Sequence, residues 1–129
     1  MRRRLREPHA FILGIALNDA DPGASPLVVW EGSHRIMGEA FRSVLGPGPA
    51  TQYRRRDITD AYQAARRTVF EGCARVPLPL RRGEAVLLHR LALHGVAPWA
   101  EGAGAPLEGR IIAYFRPELK RVGDWFGLP

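Results

Sequence analysis

Two histidines and an arginine in the second half of the chain have the types and spacing for chemistry. His89 and His94 sit in the stretch Gly83–Gly95, GEAVLLHRLALHG, and Arg110 follows in GRIIAYFRP. Imidazole is a good ligand for iron and other first-row metals, and the guanidinium fork matches a carboxylate through two parallel hydrogen bonds. From the residues alone a second reading stands beside each. A single strand histidine also serves as a polar residue bonded to its neighbours, and a lone strand arginine as a surface group or ion-pair partner. Cys73, the only cysteine, has no partner for a disulfide or a thiolate cluster and reads as a small buried hydrophobe. There is no phosphate loop, dinucleotide fingerprint, zinc-finger spacing or internal repeat.

The elements that must position these residues read mostly as strands. The opening MRRRLREP is polar, ends in Pro8, and reads as an exposed, disordered basic lead-in. HAFILGIALND is the first strand. Phe11, Leu13, Ile15 and Leu17 alternate with Ile12, Gly14 and Ala16, all apolar or small, as expected where both faces are buried. NDADPG (18–23) has turn chemistry, with Asn and Asp bonding back to their own backbone. SPLVVWEGSH is a second strand ending at Trp30 and the Gly32 turn.

The middle of the chain is helical. Ile36–Val44 forms one short helix, broken by Gly46-Pro47-Gly48-Pro49. Asp57–Glu71 is the convincing helix: Ile58, Tyr62, Ala65 and Val69 share a face, Asp57 can cap the start and Gly72 the end. RVPLPL (75–80) is an edge strand or extended loop, because proline cannot donate to a ladder.

Gly83–Gly95 then gives two short strands with a turn between them. After a long loop, a third strand opens with Arg110, which shares a face with Ile112 and Tyr114 and leaves Ile111, Ala113 and Phe115 on the other. Trp125 and Phe126 tuck the tail against the body.

The chain has 129 residues, 46% of them hydrophobic and 25% charged, which makes it one globular domain or a piece of one. No apolar run approaches a membrane span, and the Arg-rich start lacks the apolar segment of a signal peptide, so a soluble cytoplasmic protein is expected. The net charge of +6 would suit nucleic acid, but the arginines are dispersed and lysine appears once. That distribution reads as a compositional habit and not as a phosphate-binding face, so no nucleic-acid partner is expected.

An apolar strand, a polar Asn/Asp turn, PLVVWEGSHR, a late Leu-His-Gly and a later strand opening with arginine resemble the distal half of the iron(II)- and 2-oxoglutarate-dependent oxygenases of the phytanoyl-CoA dioxygenase type. The resemblance implies a mainly β fold, a double-stranded β-helix of the jelly-roll kind. Here it would be incomplete and carry one inserted helix, with residues 1–129 as the C-terminal part of one domain. It implies that His94 binds Fe(II), that Arg110 binds the distal carboxylate of 2-oxoglutarate, and that His34 belongs to the Glu31-Gly32-Ser33-His34 turn. The activity implied is hydroxylation of a small organic molecule, with 2-oxoglutarate converted to succinate and carbon dioxide. His89 is taken as structural. The inserted helix either covers the substrate side or packs outside the barrel.

In the resembled family the first two iron ligands arrive as a His-x-Asp or His-x-Glu. His9 is followed by Ala-Phe, His34 by Arg-Ile, His89 by Arg-Leu and His94 by Gly-Val, so this chain has neither triplet. The resemblance places that triplet just upstream of Met1. The expectation is therefore a truncated oxygenase that binds iron weakly by itself. The family often has asparagine near the position of Trp99, where this chain departs from it. The alternative from another class is a non-catalytic jelly-roll module for binding or oligomerisation, pairing through an exposed sheet edge.

Overall fold

Leu13, in the middle of the first strand, has a cross-strand partner on each side, Leu87 and Phe115. The computed structural model of the chain describes residues 1–126. In it, β1 (Phe11–Ala16) is the centre of an antiparallel sheet flanked by β4 (Ala85–His89) and β6 (Ile112–Phe115). A second antiparallel sheet has β2 (Leu27–Trp30) between β3 (Arg75–Leu78) and β5 (His94–Val96). The two strands read in Gly83–Gly95 therefore do not pair with each other; the turn between them carries the chain from one sheet to the other. RVPLPL is an edge strand, as its prolines require.

Ile12 and Leu88 from the first sheet meet Leu27 from the second, with Val29, Leu78 and Val86 packed around them. The sheets thus face each other across a small apolar core. Alternation fixes the rest of that inner face: Gly14, Ala16 and Tyr114 follow Ile12 and Leu88 by strand period and register. At Gly14 the missing side chain has a use, because a Cβ there would lie 2.9 Å from the Tyr114 ring.

The helices build a second and larger core. α1 (Ser33–Leu45) places Met37, Phe41 and Leu45 at i, i+4 and i+8, all buried. They pack on Ile58 and on Ala65 and Val69 of α2 (Thr59–Gly72), together with Tyr53, Leu91 and Trp125. Burying each large apolar side chain contributes about 1.5–3 kcal/mol. Short 3-10 helices at Ala50–Arg55 and Val122–Phe126 close this core, and Trp125 and Phe126 pack into it as the sequence suggested. Cys73 packs against the same core. α2 packs on α1 and, through Phe70, against Trp30 of β2, which places the helices beside the sandwich and outside its interior.

Three expectations are corrected. First, the expected antiparallel sheets are present, but with 30% helix against 22% strand they do not predominate. α1 runs longer than its core stretch because Ser33 to Ile36 continue the same amphipathic pattern. Second, the basic lead-in is docked: Leu5 is buried in the helical core, Arg3 accepts from Ile58 N–H through its carbonyl, and its own N–H donates to Thr59 Oγ1. One apolar residue and a few backbone bonds suffice to place a segment otherwise polar. Third, β1 is not covered on both faces by the described residues. Ile12, Gly14 and Ala16 are buried, while Phe11 and Leu17 are open.

Candidate carboxylate site between the sheets

Arg110 lies two residues before β6, not in it, and keeps the face read from the sequence. With Ile112 and Tyr114 it lines a cavity between the sheets whose other walls include Asp21, Leu27 and Leu78. The cavity is about 20 Å³, room for one water-sized group. Arg110 is half-buried and, among the described residues, makes no hydrogen bond or ion pair. The one carboxylate in the cavity wall, Asp21, spends Oδ2 on the N–H of Gly104 at 2.7 Å. A partly desolvated guanidinium with its fork unspent is the chemistry of a carboxylate site.

The loop that holds this arginine in place has the sequence of an ordinary turn. Asn18 does not bond its own backbone: its Nδ2 donates to Gly109 O at 2.7 Å and its Oδ1 accepts from Ile111 N–H at 2.9 Å. Asp19 Oδ1 accepts from Arg82 N–H, and Asp21 holds Gly104. Three short polar side chains thus tie this loop to three distant segments. Gly109, with φ +81°, makes the turn that delivers Arg110 to the cavity. Nothing local in NDADPG distinguishes this role from an ordinary turn, since the partners lie 63 to 93 residues away.

His94 opens β5 directly opposite Val29, and directly opposed residues in an antiparallel pair share a face. Val29 packs into the inter-sheet core, so His94 belongs to the inner face of its sheet. Its Nδ1 lies 2.9 Å from Ala92 O, and because a carbonyl only accepts, Nδ1 carries the proton. Nε2 of the neutral ring then keeps its lone pair, the tautomer a metal ligand needs. The residue before β5 is fixed as well: Leu93 N–H donates to the Oγ of Ser33, which is fully buried. The serine of the EGSH turn therefore braces the segment that carries His94.

His89 has the opposite tautomer. Its Nδ1 accepts from Leu91 N–H at 3.0 Å, so the proton sits on Nε2 and the ring is not a ligand in this arrangement. The His34 ring lies 4.8 Å from it, centroid to centroid. Burial first, then Arg90 and His34, hold the His89 pKa below its ordinary 6.5. His9 stands apart, 3.5 Å from Glu7.

His94 and Arg110 thus face the interior from opposite sheets but do not line one cavity. Leu27, in the wall of the Arg110 cavity, is two residues from Val29, so His94 lies about 7 Å further along the sheet. Among the described residues no group of three or more His, Cys, Asp or Glu side chains could hold a metal ion. No described helix is long and apolar enough to cross a membrane. Comparison with family models, with curated proteins and with solved structures gave no match.

Proposed function

We propose that the chain is the distal part of a double-stranded β-helix of the iron(II)- and 2-oxoglutarate-dependent oxygenase kind, with Arg110 anchoring the distal carboxylate of 2-oxoglutarate and His94 supplying one iron ligand. Arg110 carries the reading: it is a half-buried guanidinium, its backbone braced on both sides, that makes no ion pair among the described residues. The strand order adds support. The sheets β4-β1-β6 and β3-β2-β5, with the chain crossing between them after β1, β3, β4 and β5, have the order expected of an eight-stranded, two-sheet jelly roll less its first two strands. The tautomer of His94 supports its choice over His89.

The donor set of these residues does not complete an iron centre, which needs two histidines and a carboxylate on one face of the metal. No histidine here is followed by x-Asp or x-Glu. The part of this chain's own side chains is to bind and orient a carboxylate in a site partly shielded from water, where the ion pair is stronger than in bulk solvent. That incomplete donor set favours the second reading, a non-catalytic jelly-roll binding module. A dicarboxylate is larger than the present cavity, so its binding requires the wall at residues 78–80 or the loop at residues 20–24 to open, and weak affinity is expected.

Titration of the chain with 2-oxoglutarate, followed by NMR shifts of the Ile112 and Tyr114 amides, tests the anchor. Shifts that saturate, vanish in Arg110→Ala and weaken in Arg110→Lys are expected, because lysine keeps the charge and loses the fork. Unchanged binding by Arg110→Ala would sink the proposal. Metal-dependent succinate formation separates the two readings. It is expected only from a longer reading frame that adds a His-x-Asp or His-x-Glu upstream, and it should be lost there in His94→Ala.

A further inference from the structure

The outer face of the β4-β1-β6 sheet, away from the cavity, is apolar across all three strands over two rows, with His89 opposite Phe11 at its border. Register places Leu87, Leu13 and Phe115 in one row and Ala85, Ile15 and Ala113 in the next. Neither row carries a polar side chain. Leu87 is 67% exposed and Phe115 53%, and the patch continues through Phe11, Leu17 and Ile111 at 39%, 50% and 39%. The open part of these five side chains comes to roughly 500 Å², at the upper end of what one patch on a monomer shows. With the half-open residues between them and a rim, this face approaches the roughly 800 Å² that each partner contributes to a stable dimer.

We infer that this face is a two-fold interface with a second copy of the same chain. The rows are self-complementary in shape. The first is a ridge whose ends, Leu87 and Phe115, protrude most; the second is a trough with an alanine at each end, one pleat step or about 7 Å away. A two-fold axis parallel to the rows and midway between them exchanges ridge and trough. It lays Leu87 over the second copy's Ala85 and Phe115 over the second copy's Ala113, with the sheets about 10 Å apart. The two central rows carry no ionisable side chain, which lets two copies of a chain with net charge +6 meet there without like charges in the centre of the contact. The inference is independent of whether Arg110 holds a carboxylate.

Light scattering coupled to size exclusion, with sedimentation velocity across a concentration series, tests it. The expected mass is twice 14.3 kDa. Leu87→Glu should weaken association about 100-fold by placing a charge on the ridge. Ala85→Leu separates shape from stickiness: filling the trough should weaken a ridge-in-trough dimer about tenfold, whereas non-specific apolar association would tighten. Both sites are exposed, and far-UV circular dichroism establishes that the variants fold. A monomer at about 100 µM, a dimer indifferent to Leu87→Glu, as pairing through a sheet edge would be, or tighter association by Ala85→Leu would each overturn the inference.

Discussion

Asn18 grips the chain on both sides of Arg110, donating to the carbonyl of Gly109 at 2.7 Å and accepting the N–H of Ile111 at 2.9 Å. One side chain on the loop after β1 therefore sets where the guanidinium enters the inter-sheet cavity. Asn18→Ala leaves both backbone groups without their partner and should cost about 2 kcal/mol of stability. The same substitution should weaken 2-oxoglutarate binding about tenfold by loosening the arginine. Asn18→Asp keeps the acceptor for Ile111, loses the donor to Gly109 and adds an anion beside Arg110. It should affect ligand binding more than stability. Urea unfolding and ligand titration on the two variants check the split.

What could be read in the sequence was local. Strand period placed β1, β2 and the Arg110–Ile112–Tyr114 face, and helical spacing placed the buried stripe of α2. Where a residue's role depends on a partner far along the chain, the local pattern was silent or misleading. Asn18, Asp19 and Asp21 looked like turn formers because their type favours local bonds, yet each holds a segment more than sixty residues away. β1 looked buried on both sides because both faces are apolar. Its outer side chains are nevertheless only partly covered, with Phe11 exposed and Leu13 and Ile15 half-buried, as on a face that the described residues leave open. The local sequence does not tell the tautomers of His89 and His94 apart, whereas the fold gives each Nδ1 a different backbone partner.

Acid should destabilise the β4–β5 turn through His89. Protonation at Nδ1 removes the lone pair that accepts Leu91 N–H, and Arg90 and His34 also oppose the added charge. The folded pKa lies below the ordinary 6.5. The unfolded chain therefore binds more protons in the window between the two values, and stability falls as pH drops from about 6.5 through the lower, folded pKa. Above 6.5 both states are neutral and His89 adds no slope. His89→Asn offers an acceptor that does not titrate, so its stability should be flatter across that window. Thermal unfolding of both proteins between pH 5 and pH 8 measures this, and equal acid slopes would rule His89 out.

Gly32 caps α1 with φ +75°, and a Cβ there would meet nothing within 4 Å. The cost of Gly32→Ala is therefore backbone strain alone, about 1 kcal/mol. This corresponds to a drop of about 4 °C in Tm for a domain of this size. Gly32→Asn should lose less, since asparagine tolerates the left-handed region better than alanine. Equal losses for the two would show that the cost comes from crowding and not from φ.

Ser33 is fully buried one position later, and its Oγ accepts the N–H of Leu93, the residue before His94. Ser33→Ala removes the acceptor and leaves a part-buried donor without its partner, at a cost of about 1–3 kcal/mol. The local consequence is more telling than the global one. The Leu93 amide should lose hydrogen-exchange protection well beyond the average loss, because among the described residues its partner is that hydroxyl alone, while Trp30 N–H still donates to the Leu93 carbonyl. If His94 holds a metal in a longer form of the protein, the same substitution should weaken that metal more than it weakens carboxylate binding at Arg110. The serine braces the histidine's segment, whereas Arg110 is held by Asn18. Exchange rates for Leu93 in the chain, and metal and 2-oxoglutarate titrations in the longer form, distinguish a brace on one ligand segment from a general loss of stability, which would shift both affinities together.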